Sequence, residues 1–443
     1  MKFYNALILI FCKVVIRVLS LFGKNGGNLP GMIALKLNRN LLKYFSIKGC
    51  VIAVTGTNGK TSTTNLICET LSLDGKVICN REGNNINTGI TSLLVRNCNI
   101  FGFINCDYLV LEVDEHYVPV VFRDLKLDTF VVLNFFRDQL DRTGEVETLI
   151  MKINTFLSGY DGNLILNSDD PNVLRLKYAN LDNDNIYLFS VSRYDGANKV
   201  MHDKGEGKFC PKCFTRLKYD YYQYSHIGKF RCPKCDFGVG DIFLNITDID
   251  LGKKTFICDG KLFKTQYSSI YNFYNIAPVL CVAKLYDINF DDVSKVIYDY
   301  KLNNGRMESV VVDGKITVMN LAKNPTGANV SLRYMNQDDS VKELLFVLND
   351  NIADGRDVSW IWDVNFDVLN NVSRVITSGT RAYDMAVRIK SSGFDVSNIE
   401  CYPDIGDAVC ALYKTDSSKY VIFNYTAVIE TRNRILEYKG DVK

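Results

Sequence analysis

The chain of 443 residues carries 52 basic and 50 acidic side chains, a net charge of +2, and is 47% hydrophobic. This allows two or three domains with real cores and excludes a protein that gathers nucleic acid through a large positive field. Only three histidines occur, His116, His202 and His226, which leaves little room for a self-contained Ser–His or Cys–His catalytic centre. Of the 14 cysteines, all but four are scattered, mostly in apolar runs, and read as reduced thiols of a cytosolic protein.

The opening segment, MKFYNALILIFCKVVIRVLSLFGK, is apolar, but its uncharged run Phe3–Cys12 is too short to span a bilayer. Lys13, Arg17 and Lys24 fall on one helical face by their spacing. A helix resting on a membrane surface and a helix packed on the next domain both fit. A cleaved signal peptide fits less well, because no small-residue cleavage site is present behind the apolar run. The run from Gly26 to Gly31 then breaks the helix.

The stretch Val51–Thr64, VIAVTGTNGKTSTT, organises the rest of the chain. An apolar strand, Val51 to Val54, runs into Gly56-Thr57-Asn58-Gly59-Lys60-Thr61, and a helical pattern begins behind it. A strand, a glycine loop and a helix aim backbone N–H groups and a helix N-terminus at phosphate. Lys60 is placed to reach the terminal phosphates of ATP and Thr61 to ligate magnesium. The general nucleotide loop would put its first glycine where Val54 stands, so this is a shorter variant. A chance Gly-Lys-Thr in a plain turn would not bring a strand before it and a helix after it.

Strand and helix patterns alternate from residue 46, which predicts a parallel α/β sheet. Tyr108–Val113 reads as a strand ending in acid, and ligands in such sheets sit at the carboxyl ends of strands. Glu112 is therefore placed to hold magnesium beside Thr61; a surface carboxylate after a strand is the bland reading. Thr129 to Asn134 is a further strand.

Cys210-Pro211-Lys212-Cys213 and Cys232-Pro233-Lys234-Cys235 form two C-x-x-C pairs. Four thiolates paired this way make a closed tetrahedral zinc site with no open position for chemistry. A redox C-x-x-C would not normally come doubled inside a nucleotide-binding domain. Flanking glycines mark a ribbon inserted at about 205–240. Tyr219, Tyr221, Tyr222 and Tyr224 between the pairs suit an aromatic hairpin of that ribbon better than a base-stacking surface.

A helix should open at Ser269 and run to Tyr286, carrying Asn275. Asn303 to Glu308 contains Gly305-Arg306, and Arg306 would reach ATP phosphates as a fixed cation. The strand pattern then restarts at 316–320, 344–348, 374–377 and 420–425, a second, smaller α/β domain.

Taken together, these segments resemble the Mur ligase family. TGTNGKTS is the family's short phosphate loop, Ser269–Ala277 is similar to its GxFNxxNxxA segment, and Asn303–Glu308 is similar to its Gly-Arg hinge. The resemblance implies a Mur-ligase-type P-loop ATPase domain at 46–308, holding the four-cysteine zinc ribbon, and a Rossmann-like α/β domain at 309–443. The leader 1–45 is too short for the family's usual first domain. By the resemblance Thr57, Asn58, Gly59, Lys60, Thr61, Asn275 and Arg306 bind ATP, Asn275 at the adenine. Thr61 and Glu112 hold Mg2+, and Cys210, Cys213, Cys232 and Cys235 hold structural Zn2+.

The chain departs from the family in three places. Gln139 stands where a His near the second magnesium is usual. Lys152 lies one residue out of step with the usual carbamylated Lys. Asn320-Leu321-Ala322-Lys323-Asn324-Pro325 replaces an Asp-Tyr-Ala-His-Asn-Pro-like loop.

The ribbon, this altered loop and the acidic stretch Leu348–Asp363 resemble the branch that forms the ligase subunit of a lipid II isoglutaminyl synthase. That resemblance implies a heterodimer with a GatD-type glutaminase, which supplies ammonia, and lipid II as substrate. It implies a cytoplasmic location, at the inner face of the membrane if the leader rests there. It implies no nucleic-acid partner. Asp357, with Asp354 in reserve, would orient the partner's catalytic His, as an Asp behind a His does; turn and cap roles explain the same residues locally. A folylpolyglutamate-synthase-like ligase shares TGTNGKTS but would not be expected to carry the ribbon. A zinc-ribbon nucleic-acid ATPase is disfavoured by the neutral charge.

Overall fold

A computed structural model of the chain describes residues 2–23, 27–81, 83–138, 146–200, 206–238, 240–301, 307–312 and 314–438. They divide into two compact units. The first comprises Met1–Phe135, Val146–Val200 and Gly207–Tyr300, and the second is mainly Lys301–Lys443.

The first unit is built on a nine-stranded sheet. The loop strand Cys50–Thr55 lies between Tyr108–Glu112 and Thr129–Val132 and pairs in parallel with both. Its buried run of Val51, Ile52, Ala53 and Val54 is the continuous apolar pattern of a strand covered on both faces. Val77–Cys79 closes one edge, and Asn163–Asn167 and Ile186–Val191 extend the other in parallel. Leu244–Asp250 pairs in parallel with Ile186–Val191, and two antiparallel strands, Thr255–Cys258 and Lys261–Lys264, finish that edge.

A parallel pair needs a crossover, usually a helix. Between Ile186–Val191 and Leu244–Asp250 the crossover instead contains the cysteine ribbon. Its tyrosines form the expected hairpin, Lys218–Tyr224 against Ile227–Arg231. Tyr219 stacks on Tyr222 with ring centroids 4.2 Å apart, so the aromatic run packs on itself.

The leader forms a helix, Lys2–Leu21, followed by a second, Leu29–Leu37. Ile8, Leu9 and Cys12 are buried in the first unit's core. Tyr4 Oη donates to Leu37 O at 3.1 Å, and Asn38 donates to Asn5 across the same junction at 2.8 Å. The helix thus packs on its domain by one face. Phe3–Leu21 is also long and apolar enough to cross a membrane. This differs from the expectation drawn from the uncharged run alone; Lys13 and Arg17 interrupt that run without offsetting the apolar residues beyond them.

The second unit holds a six-stranded sheet. Lys315–Leu321, Ser418–Phe423, Lys342–Val347, Val372–Ser378 and Ile399–Tyr402 are parallel neighbours in that order. Glu308–Val312 adds an antiparallel edge. The α/β class and the restart of the strand pattern match the sequence reading. The two edge strands Glu308–Val312 and Ile399–Tyr402 do not announce themselves, because they are short and only partly buried.

Candidate nucleotide and metal sites

The loop strand ends at Thr55, and Gly56 and Gly59 both have positive φ, +138° and +87°. Added side chains have no room: a Cβ on Gly56 would lie 2.9 Å from Leu133 Cβ, and one on Gly59 2.0 Å from Asn275 Oδ1. Gly59 caps the helix Lys60–Leu71. The helix N-terminus therefore opens at the carboxyl end of a central parallel strand, which is where anions bind in such folds.

Asn134 pins the loop. Thr57 N–H donates to Asn134 O and Asn58 N–H donates to Asn134 Oδ1, both at 2.9 Å. Asn134 Nδ2 returns a bond to Asn58 O at 3.0 Å. Lys60, only 8% exposed, folds back over the loop and donates to Gly56 O and, at 3.1 Å, to Glu115 Oε2. Asn275, on the helix Ile270–Leu285, lies against Gly59, and its carbonyl accepts from Thr63 Oγ1 at 3.2 Å. Thr57, Asn58, Gly59, Lys60, Thr61 and Asn275 thus form one cluster. Arg306 and Gln139 lie outside the described residues.

Glu112 ends its strand at 3% exposure. One carboxylate oxygen accepts from Asn85 Nδ2 at 2.8 Å; the other, Oε2, is buried with no hydrogen-bond partner among the described residues. A Cβ on Gly83 would lie 3.9 Å from both Glu112 Oε2 and Thr61 Oγ1, so the two oxygens face one small space. An orphaned carboxylate oxygen beside a hydroxyl is the donor set a hard divalent cation takes. Asn80 holds the strand end, accepting from Glu112 N and donating to Glu112 O, both at 2.8 Å. Sequence patterns do not single out Asn80, Asn85, Glu115 or Asn134. Asn134 alone leaves a trace, as the polar residue closing a strand.

The four ribbon cysteines meet in space, their sulfurs all within 4.8 Å of one another. Cys210–Cys235 and Cys213–Cys232 sulfurs are 3.5 and 3.4 Å apart. A tetrahedron with zinc–sulfur bonds of about 2.3 Å has edges of about 3.8 Å. Lys212 N–H and Lys234 N–H each donate to the first sulfur of their own knuckle at 3.4 Å. The geometry fits a four-thiolate zinc site.

The ribbon hairpin rests on Asp169 and Asp170, both buried. His226 Nε2 lies 3.2 Å from Asp170 Oδ1, and Phe135 N–H donates to Asp170 Oδ2 at 2.9 Å. Gly228 N–H donates to Asp169 O at 2.9 Å. Asp169 Oδ2 accepts from Tyr274 Oη at 2.9 Å, and burial pushes its carboxyl above the usual range.

In the second unit the acidic stretch is held by bonds within itself and to residues outside it. Asp357 accepts from Ser359 N–H at 2.8 Å, and the Ser359 hydroxyl and N–H hold its carboxyl below the usual range. Asp354 is 5% exposed and accepts from Thr426 N–H at 2.8 Å and from the Thr426 hydroxyl; burial nevertheless raises its pKa. The Asn-Pro of the altered loop has a local cause: Asn324 accepts from Gly327 N–H at 2.8 Å and caps the helix Pro325–Met335, with Pro325 in its first turn.

Comparison with known proteins agrees with this arrangement. Residues 54–230 match the Mur ligase middle domain, and residues 321–428 match the MurT ligase C-terminal domain. The chain is 33% identical over 423 residues to the lipid II isoglutaminyl synthase (glutamine-hydrolysing) subunit MurT of Staphylococcus aureus strain COL, covering 94% of both. It is 29% identical to the MurT subunit of Streptococcus pneumoniae, covering 94% of this chain and 93% of that one. Among solved structures, a pseudomurein peptide ligase type C from Methanothermus fervidus shares the fold at a TM-score of 0.70 and 21% identity, over 90% of this chain and 80% of that one. MurF of Thermotoga maritima, solved with ADP, shares it at 0.62 and 17%, over 93% and 83%. The chain belongs to the MurT family of Mur-type ligases.

Proposed function

We propose that the chain is the ATP-dependent ligase subunit of a lipid II isoglutaminyl synthase. It amidates the α-carboxylate of D-glutamate in the lipid II stem peptide to D-isoglutamine, a step of peptidoglycan synthesis. Ammonia comes from glutamine, hydrolysed by a GatD-type glutaminase bound to this chain as a heterodimer. The full-length likeness to the S. aureus subunit supports this reading. The observation that carries it is the convergence of Lys60, Thr61 and the unpartnered Glu112 oxygen at the loop helix.

A carboxylate is a poor electrophile. One of its oxygens attacks the terminal phosphorus of ATP, ADP leaves, and an acyl phosphate results. Ammonia adds to the acyl carbon, phosphate departs, and a proton is lost to leave the amide. The N–H groups of residues 57–61, Lys60 and Arg306 offset the charge on the transferring phosphoryl group. Asn275 borders the nucleotide. Thr61 and Glu112 would hold the magnesium, which supplies further charge neutralisation. The ribbon zinc is structural, since four thiolates leave no open position. An ammonia-using ligase needs no pocket for an incoming amino-acid side chain, which accounts for the altered 320–327 loop.

We take 46–308 as the ATP-binding domain, 309–443 as the C-terminal domain, and Asp357 as the residue that orients the partner's catalytic His. The enzyme works in the cytoplasm, at the inner face of the membrane. Co-expression with a GatD-type glutaminase, followed by incubation with lipid II, glutamine and ATP, should add one amide per lipid II. Unchanged lipid II in the presence of active glutaminase would refute the reading.

A further inference from the structure

The leader combines two features that its packing uses only in part. Its first 48 residues contain eight basic residues, Lys2, Lys13, Arg17, Lys24, Lys36, Arg39, Lys43 and Lys48, and no Asp or Glu; the first acid in the chain is Glu69. Since the whole chain is only +2, the remainder is net acidic, and positive charge is concentrated here. Arg17, Lys36 and Arg39 are exposed.

The helix Lys2–Leu21 buries Ile8, Leu9 and Cys12, yet its other side is also apolar. Phe3 is 78% exposed and Leu21 84%, and Leu7, Phe11, Val14 and Val18 between them are each close to half exposed or more. Leaving a face of this size in water is costly, and such patches mark contact sites.

We propose that this face lies in the headgroup region of an anionic bilayer, with the helix parallel to the surface. A spanning helix could not also keep Ile8, Leu9 and Cys12 in the domain core and the bonds at Tyr4, Asn5 and Lys13. An apolar face flanked by cations is the pattern of an interfacial helix, and anionic lipid adds attraction for each nearby Lys or Arg. A second copy of the chain on the same face would bring like charges together, the exposed Arg17, Lys36 and Arg39 of each copy among them. Docking here would hold the enzyme at the surface that carries a lipid-linked acceptor; that last clause rests on the amidation reading, whereas the docking does not.

The test uses the full chain co-purified with its glutaminase. Vesicles of phosphatidylglycerol and phosphatidylcholine should sediment the complex, pure phosphatidylcholine vesicles should not, and about 0.5 M salt should weaken the binding on the order of tenfold. The triple variant Phe3→Ser/Leu7→Ser/Phe11→Ser and the charge variant Arg17→Glu/Lys36→Glu/Arg39→Glu should each lose about tenfold or more in vesicle partition. Both should keep the parent's melting temperature, glutaminase complex and activity on a detergent-dispersed acceptor. Equal binding to neutral vesicles, no binding to anionic ones, or loss of the glutaminase complex in the Ser variant would each overturn the proposal. Vesicle binding without amidation in any format would refute the enzymatic reading and leave the docking intact.

Discussion

Each unit contains a buried glutamate in its parallel sheet, and the two are furnished differently. Glu343, near the start of Lys342–Val347, is 2% exposed and fully served. Arg374 donates to both its oxygens at 3.0 Å, and Lys419, itself buried, donates at 2.7 Å. Glu112, at the end of Tyr108–Glu112, is as deeply buried but, among the described residues, has one neutral side-chain donor and one idle oxygen. A carboxylate that is part of the scaffold brings its cations with it. A carboxylate at the carboxyl end of a strand, short of a cation, is provisioned for one that arrives with the substrate. The ribbon cysteines are a third case, a closed four-sulfur cluster suited to a structural ion rather than to one that comes with a substrate.

The largest effect is expected where the arriving charge is greatest. Lys60→Ala should lower kcat for amidation by about 10³-fold or more, since comparable cations at phosphoryl transfer contribute that much. A normal rate would end the assignment of the loop.

The two glutamates should then separate cleanly. Glu343→Gln leaves the buried Lys419 without its carboxylate and Arg374 with Glu400 alone, and should cost about 3–5 kcal/mol, read as a fall in the melting temperature. Glu112→Gln should lose about 10²-fold in kcat and need more magnesium, while its melting temperature holds or rises. If Glu112→Gln instead melts early and keeps its rate, the contrast is wrong.

Asp357→Asn should remove most glutamine-driven amidation and spare part of the activity driven by free ammonia. Loss of both would move Asp357 from the partner's triad to the scaffold. Acid should act weakly and late. Burial raises the Glu343 pKa, but the bonds from Arg374 and Lys419 outweigh it and hold it below its ordinary 4.5. Its contribution is therefore complete above that value and fades as pH falls through the lowered one. The melting temperature should be flat from about pH 8 to 5 as far as this group is concerned.

The clustering of the candidate site residues was legible because each sits in a local pattern: the glycine loop behind a strand, Glu112 at a strand end, and cysteines in doubled knuckles. Their supports were not. Asn134 reaches the loop across 76 positions of sequence, and Asn85 reaches Glu112 across 27. Nothing in an asparagine near a turn distinguishes such a brace from an ordinary turn residue. Asp357 shows the reverse: its turn role is visible in the structure, and only the family likeness gives it more.

His226 has a consequence beyond the ribbon. Through Asp170 it bears on Phe135, the neighbour of Asn134, which shapes Thr57 and Asn58. A chelator that strips the knuckles would slacken this brace and weaken the hold on ATP without touching one residue that meets it. On the zinc and nucleotide assignments proposed above, zinc starvation would then reach the cell wall as a nucleotide-binding defect.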